Sequence, residues 1–233
     1  MNDEAPILKS LGISPGIGLP CVTYDSLSSQ LGTAILMGLP AWKQFAGAWN
    51  AVAYRYKACA EHDIAFTESF NRSSASPSQP ERYIQERELF GFFCTGFSAM
   101  EACCYALFSI ASLHNPSNFR LSTDEHFRVT TVGRIARAFN NYFPGKAFTT
   151  ILLKIYLSKE FNDWKEARNI LTHRAQPGRT AYVGGEKDEQ TVWQLCDISI
   201  DQRTTSSRMH WLRQTINDLV GCAASFCSEN SFP

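Results

Sequence analysis

The sequence predicts an all-α protein: an up-and-down helical bundle with a small β-hairpin inserted before its last helix. Apolar residues recur at steps of three and four along most of the 233-residue chain, which is the spacing of a buried helix face. Proline, glycine or small polar residues separate these stretches. A hydrophobic fraction of 44% is sufficient for a large core. We therefore expect an extended N-terminal arm over residues 1–25 and one domain over 26–233.

The first half of the chain contains two predicted helical regions. Residues 26–70 place aromatic and apolar side chains at helical spacing, and the region is broken near the Gly-Leu-Pro sequence at 38–40. The polar, proline-interrupted segment 73–80 is predicted to be a loop. A long helix follows over 81–113. Because its second half is apolar on almost all sides, we expect it to be the central helix of the bundle.

The second half of the chain contains three further predicted helices and the hairpin. A third helix follows the Ser-Thr-Asp-Glu sequence at 122–125, which resembles a capping box, and stops at Pro144 and Gly145. The remaining elements are a helix over 147–173 jointed near residues 159–160, strands over 180–183 and 191–200, and a last helix over 206–228. The strands are predicted because β-branched and aromatic residues are enriched there, on either side of a glycine-containing turn.

Composition restricts the possible functions. Lys and Arg (22) balance Asp and Glu (22), so any contact with RNA must come from a local basic patch. The acidic N-terminus lacks the basic and apolar regions of a signal peptide, and the eight cysteines show no Cys-x-x-Cys or zinc-finger spacing. We expect a reduced, cytoplasmic protein without zinc. The apolar run at 90–113 is interrupted by Glu101, so we expect a core helix and no membrane association.

The segment whose side chains are best suited to catalysis is Arg168-Asn169-Ile-Leu-Thr-His173, at the end of the predicted fourth helix. At about 100° per residue, Asn169 and His173 lie one turn apart on one face, so the amide can hold an imidazole nitrogen. The long Arg168 side chain can reach the same groove although it starts about 140° away around the axis. A cation binds phosphate, and a histidine transfers protons near neutral pH without a metal.

The spacing Arg-x4-His is weak evidence by itself. Slightly longer gaps also give Arg120 with His126 and Arg203 with His210, but both of these pairs straddle a predicted loop-to-helix junction. A purely structural interpretation also remains open. Arg168 would then pair with a nearby carboxylate, and the imidazole would cap the C-terminus of its own helix.

The Arg-Asn-x-x-x-His pattern on a late helix of an all-α bundle resembles the signature of the HEPN superfamily. The resemblance extends loosely over 80–228, through the apolar helix 90–113 and the segment 164–174. Many members of that family are ribonucleases that act as dimers and need no metal, and many serve as toxins or defence factors. The polar residue after the arginine belongs to the family pattern, and Asn169 satisfies it. The N-terminal arm and the hairpin are less typical of the family.

The resemblance implies a role for each residue of the motif. His173 would take the proton of a ribose 2′-hydroxyl or protonate the leaving 5′-oxygen. Arg168 would neutralise the charge that builds on the phosphate, and Asn169 would orient the histidine. Arg174 and Arg179, just after the helix, are candidates for binding neighbouring phosphates. The expected products are a 2′,3′-cyclic phosphate and a 5′-hydroxyl, with neither metal nor cofactor.

Glu101 and Tyr105 are candidates for a supporting role. Glu101 is the one charge in an otherwise apolar run, and a carboxylate in such a place is costly unless it is paired. It either orients Arg168 or His173, or it forms a buried salt bridge with an arginine of the third helix, such as Arg134 or Arg137. Tyr105, one turn further on, can share either role.

The sequence therefore predicts a metal-independent endoribonuclease that acts on RNA as a homodimer, with an antitoxin or another regulatory protein as a possible partner. The alternative is a non-catalytic module in which the same bundle serves for dimerisation or for binding a nucleotide or RNA. Glycine-rich phosphate loops, nucleophile elbows and the His-Glu-x-x-His sequence are absent from the chain, so the corresponding enzyme classes are not expected.

Overall fold

The computed structural model of the protein describes residues 18–32, 34–73, 77–173, 177–181 and 191–232, and in these residues it is a mostly helical bundle with a small three-stranded antiparallel sheet before the last helix. In chain order the elements are α1 (Cys21–Leu31), α2 (Ala34–Met37), α3 (Pro40–Arg72), α4 (Gln79–His114), α5 (Asp124–Val129), α6 (Val132–Tyr142), α7 (Ala147–Leu157), α8 (Lys159–His173), β1 (Gly178–Ala181), β2 (Thr191–Leu195), β3 (Ile198–Ser199) and α9 (Thr204–Glu229). The predicted fold class is confirmed.

Several helix boundaries differ from the prediction for identifiable reasons. The extended arm was predicted to continue to residue 25, but α1 already begins at Cys21, and its Tyr24 is buried and stacks on Trp49 at 4.5 Å between ring centroids. Helix α4 begins two residues early because Glu81 accepts hydrogen bonds from the backbone N–H and hydroxyl of Ser78, as in a capping box. Residues 1–17, which make up most of the predicted arm, lie outside the described residues.

The third and fourth predicted helices are each two helices in the structure. The third is divided at Thr130 and Thr131 into α5 and α6, and Thr123 caps α5 by accepting a hydrogen bond from the His126 N–H. The fourth is divided at Ser158 into α7 and α8, close to the joint predicted at 159–160. The breaks predicted near 38–40 and at 144–145 are also observed.

The sheet has one strand more than the predicted hairpin. Strands β1 and β2 pair antiparallel from Gly178 opposite Gln194 to Ala181 opposite Thr191, and β3 then pairs with β2. The second predicted strand, 191–200, is split by a two-residue turn that begins at Cys196. There the backbone takes a φ of 54°, which is unusual for a residue other than glycine. Residues 182–190, including the predicted glycine turn, are outside the described part of the chain.

The sequence predicted a single domain over 26–233, and by its internal packing the chain divides into two compact units. The first unit contains the described residues up to Arg55, residues 98–158 and the chain from Arg213 onwards. Its core includes a cluster of phenylalanine rings with neighbouring centroids 5.2–5.9 Å apart. The members of this cluster are Phe119, Phe139, Phe143, Phe148 and Phe226.

The second unit consists of residues 56–97 and 159–212 and contains α8 and the sheet. Trp164 is at the centre of its core, 1% exposed, with its ring 4.9 Å from that of Phe92 and 5.2 Å from that of Phe93. A Cβ atom on Gly96 would overlap the far edge of the Trp164 ring and approach the Cys59 sulfur. The missing side chain at Gly96 is therefore what allows α8 to approach α4 this closely.

Helix α4 is long and apolar enough to cross a membrane, but 83% of its most apolar 18-residue window is buried inside the protein, as in a core helix. All eight cysteines lie within the described residues, and all are free thiols. Seven of them are buried or half-buried in helices, where they pack as small apolar side chains.

We expect Gly96→Ala to lower the free energy of unfolding by about 1–3 kcal/mol, because the added methyl group must displace a rigid, buried indole ring. The matched control is Gly221→Ala in α9, where a Cβ would meet no atom within 4 Å. Alanine should stabilise that helix by about 0.5–1 kcal/mol. Urea denaturation of both variants measures the difference, and equal stabilities would contradict the packing described for Trp164.

Glu88 is a buried carboxylate with two partners. Its Oε2 atom lies 2.7 Å from His62 Nδ1, and its Oε1 atom accepts a hydrogen bond from Arg87. Burial alone would raise the pKa of Glu88, but the hydrogen bonds from His62 and Arg87 outweigh it, and the pKa is lowered. The stabilisation from this lowered pKa is present above the unfolded-state pKa of about 4.3 and is lost as the pH falls through the folded-state value.

Glu88→Gln should therefore destabilise the protein near pH 7, with a difference from wild type that shrinks below about pH 4. Unfolding free energies measured between pH 3 and pH 7 test this. The control is Glu68→Gln, which removes an exposed ion pair with Arg72 and should have little effect at any pH. A Glu88→Gln protein as stable as wild type at pH 7 would contradict the role assigned to this pair.

Candidate functional site

Helix α8 presents the predicted catalytic residues. It spans Lys159 to His173, and its first turn is closed by an ion pair in which Lys159 Nζ lies 2.6 Å from Asp163 Oδ2. One face of the helix is buried and packs into the second unit. The buried residues are Phe161, Trp164, Ala167 and Leu171. Their spacing of three and four fixes the rotation of the helix about its axis, and this rotation decides which of the other side chains reach solvent.

Arg168 lies at the edge of the buried face, one turn after Trp164. Its side chain is half-buried, and its guanidinium carbon sits 4.7 Å from the centroid of the Phe97 ring, a cation–π distance. Cys94 lies nearby: burial raises the pKa of this thiol, and the charge of Arg168 acts in the opposite direction. Arg168 is thus a cation held against an aromatic wall while part of it remains accessible to solvent.

Asn169 and His173 lie on the other side of α8. Asn169 is half-buried and His173 is exposed, and the two are one turn apart on the same face. Within the part of the chain that the structure describes, no hydrogen bond joins the Asn169 amide to the His173 ring, although the sequence suggested one. Arg168 starts about 140° away from His173 around the axis. One α8 helix therefore presents its cation and its imidazole in different directions.

Arg179, a predicted phosphate-binding residue, is instead enclosed within the second unit. Its side chain is 11% exposed, and its guanidinium carbon stacks 3.5 Å from the centroid of the Trp193 ring on β2. One nitrogen donates to Gln85 Oε1 at 2.8 Å, and Nε lies 3.6 Å from Glu86 Oε1. Burial lowers the pKa of Arg179, and Glu86 partly opposes this effect. We therefore assign Arg179 a structural role, because it links Trp193 of the sheet to Gln85 and Glu86 of α4. Arg174, the other predicted phosphate ligand, lies outside the described residues.

The two predicted supporting residues belong to the first unit, whereas α8 belongs to the second. Half-buried Glu101 and Tyr105 line a cavity of about 450 Å³ together with Arg55, an arginine that sequence analysis did not associate with them. The Tyr105 hydroxyl donates to Gln44 Oε1 at 3.0 Å, and burial raises the pKa of Tyr105. Arg137, an arginine of α6, donates to the backbone carbonyl of Gly133 in its own helix.

A second cavity, of about 290 Å³, adjoins α8 and was not anticipated from the sequence. It is lined by Glu160, Asp163 and Trp164 of α8 and by Ser207, Arg208 and Trp211 of α9. Arg208 is half-buried, donates to the Thr204 carbonyl at 3.0 Å and lies 5.9 Å from the Phe93 ring. Burial lowers the pKa of Arg208, and Asp163 opposes this shift. Sequence spacing within each helix indicated its buried face but could not show that these two helices share a cavity.

Comparisons of the chain with models of known protein families, with curated proteins and with solved structures found no match.

We expect Arg179→Ala to lower the free energy of unfolding by about 1–3 kcal/mol, because it removes the stacked guanidinium from Trp193 and leaves the Gln85 amide oxygen without its donor. The matched control is Arg203→Ala, an exposed arginine of the same unit, for which we expect a change within about 0.5 kcal/mol. Thermal and urea denaturation provide the measurement. A normally stable Arg179→Ala protein with weakened RNA binding would instead support the phosphate-binding role first predicted.

Proposed function

We propose that this protein is a metal-independent endoribonuclease of the HEPN type, and that Arg168 and His173 of two copies of the chain form its active site. The observation that carries the proposal is the arrangement on α8. A guanidinium is held over Phe97 at 4.7 Å at the border of the core, and an exposed imidazole follows five residues later. Cleavage of a phosphodiester by its own 2′-hydroxyl requires a fixed cation and an accessible proton-transfer group, and α8 carries one of each.

The different directions of Arg168 and His173 support a site made by two copies. In one chain the two side chains leave the helix about 140° apart, so a single α8 does not direct both at one phosphate. Two α8 helices related by a two-fold axis would supply two guanidinium groups and two imidazoles to a shared groove. Asn169, on the same face as His173, would then lie in the same groove and orient the rings.

The proposed reaction is an internal transfer at phosphorus. A neutral His173 ring takes the proton of the ribose 2′-hydroxyl, and the 2′-oxygen attacks the adjacent phosphorus atom. The bond from phosphorus to the 5′-oxygen breaks, and this oxygen takes a proton from a protonated His173 ring, which the partner copy can supply. The products are a 2′,3′-cyclic phosphate and a 5′-hydroxyl, and no water, metal or oxidant is consumed. Arg168 stabilises the negative charge on the phosphoryl oxygens in the transition state.

We expect the purified protein to cleave RNA in the presence of EDTA and to leave 2′,3′-cyclic phosphate and 5′-hydroxyl ends. His173→Ala and Arg168→Ala should each reduce the cleavage rate by about 100-fold or more, the usual effect of removing a general acid–base or a charge-stabilising group. Gel analysis of a labelled RNA gives the rate, and enzymatic labelling of the ends gives the product chemistry.

The matched controls are Arg203→Ala and His210→Ala, which remove an exposed arginine just before α9 and an exposed histidine of α9, both in the same unit. Both should cleave RNA at the wild-type rate. Loss of cleavage only in the Arg168→Ala and His173→Ala proteins, purified in the same way, excludes a contaminating nuclease as the source of activity. Mixing Arg168→Ala with His173→Ala protein should restore part of the activity if one site draws on both copies. Cleavage that is equal in all four variants would reject the assignment.

The second candidate is a non-catalytic module that dimerises or binds RNA. The contact between Arg168 and Phe97 favours this candidate if the guanidinium stabilises the fold and does not bind phosphate. In that case Arg168→Ala would lower the stability of the protein, and wild-type protein would bind RNA or dimerise without cutting it. An absence of cleavage by well-folded wild-type protein, with dimerisation shown by light scattering, would establish this candidate over the enzyme.

A further inference from the structure

The cavity of about 290 Å³ between α8 and α9 has the chemical character of a small-molecule site. Its walls combine two indole rings, one guanidinium, two carboxylates and a hydroxyl, so it offers stacking surfaces, donors and acceptors within one small volume. All of these residues belong to the second unit. The site proposed for phosphodiester cleavage uses none of them.

The cavity wall includes hydrogen-bond donors from Ser207, Arg208 and Trp211. The Trp164 indole N–H is buried and has no hydrogen-bond partner among the described residues. Because that nitrogen has no exposed surface, a molecule in the cavity would be recognised by the other lining residues. Arg208 uses one nitrogen for the Thr204 carbonyl, and its planar group has further N–H donors.

The acceptors are the carboxylates of Asp163 and Glu160. Oδ2 of Asp163 accepts from the exposed Lys159 ammonium at 2.6 Å, and a carboxylate has lone pairs for additional hydrogen bonds. Asp163 is half-buried, whereas Glu160 is exposed at the rim. The cavity therefore places a partly enclosed acceptor on α8 within the electrostatic influence of Arg208, since the charge of Asp163 acts on the arginine.

A guanine base complements this arrangement. Its N1–H and N2–H groups are adjacent donors that one carboxylate can accept together, and its O6 and N7 atoms are acceptors that an arginine recognises in pairs. Adenine, cytosine and uracil each place an acceptor beside the donor that would face the carboxylate, so they fit less well. Trp211, half-buried at the cavity wall, provides a ring on which any base can stack.

We infer that the cavity between α8 and α9 binds a guanine base, with Asp163 accepting from its N1–H and N2–H groups, Arg208 donating to O6 or N7, and Trp211 stacking on the ring. This inference rests on the proposed function in one respect: the base would belong to the RNA substrate. Trp164 in the cavity wall precedes Arg168 by four residues, about 6 Å along the axis, so a base in the cavity would anchor the strand close to the proposed phosphate site.

The test is calorimetric titration of the full-length protein with guanosine, adenosine, cytidine and uridine 5′-monophosphates in EDTA. We expect guanosine monophosphate to bind at least about tenfold more tightly than the other three nucleotides. Asp163→Asn should reduce the affinity for guanosine monophosphate by about tenfold or more, and Trp211→Ala by about fivefold or more. Trp211→Phe keeps an aromatic ring and should retain most of the affinity.

The matched control is Lys159→Gln. It breaks the same ion pair as Asp163→Asn but leaves the carboxylate in the cavity wall, so binding should be unchanged. Thermal denaturation of each variant shows whether it is folded. Equal binding of the four nucleotides, an absence of binding at millimolar concentration, or an equal loss in Lys159→Gln and Asp163→Asn would overturn the inference.

The two proposals fail separately. One outcome is that guanosine monophosphate binds wild type and Arg168→Ala equally and that wild-type protein cuts no RNA. This outcome would support the base site and reject the nuclease. RNA cleavage that depends on Arg168 and His173 but shows no preference for guanine, and is unchanged in Asp163→Asn, would support the nuclease and reject the base site.

Discussion

The position of α8 depends on the packing of one tryptophan into the space left by one glycine. Trp164 fits against α4 where Gly96 has no side chain, and its ring packs on the rings of Phe92 and Phe93. A buried indole of this size contributes a large part of the apolar area that holds a helix in place. Because side chains on a helix have fixed angular positions, the same contact also places Arg168, one turn later, over Phe97. The packing of the core of the second unit therefore fixes the geometry of the candidate site.

The chemistry on α8 follows from the position of each residue relative to the buried face. Arg168 lies at the border, where its guanidinium carbon is within cation–π distance of an aromatic ring and part of the side chain remains accessible. His173 lies on the opposite, solvent-facing side, where its ring is accessible to a substrate or to another protein. A single copy therefore holds a cation packed on an aromatic ring and an exposed imidazole. This division is the physical reason for placing the proposed active site between two copies of the chain.

The arginines that follow or face α8 show that charge alone does not identify a nucleic-acid contact. Arg179 is close in sequence to the motif, yet it is enclosed by Trp193, Gln85 and Glu86 and serves the packing of the sheet. Arg208 is distant in sequence, yet it lines a cavity with residues of α8. In both cases the environment of the guanidinium, rather than its position along the chain, determines what it can bind.

Local physical chemistry was enough to determine the helical class, the breaks near 38–40 and at 144–145, the joint before α8 and the presence of strands before the last helix. Each depends on neighbouring residues: apolar spacing, proline, glycine and β-branched runs. The sequence also placed Arg168, Asn169 and His173 on one helix and gave their angular separation. Only the tertiary structure decided that Phe97 receives the Arg168 guanidinium, that Arg179 is enclosed, and that Asp163 and Arg208 share a cavity. These contacts join residues far apart in the chain, and their geometry comes from side-chain packing that no local pattern encodes.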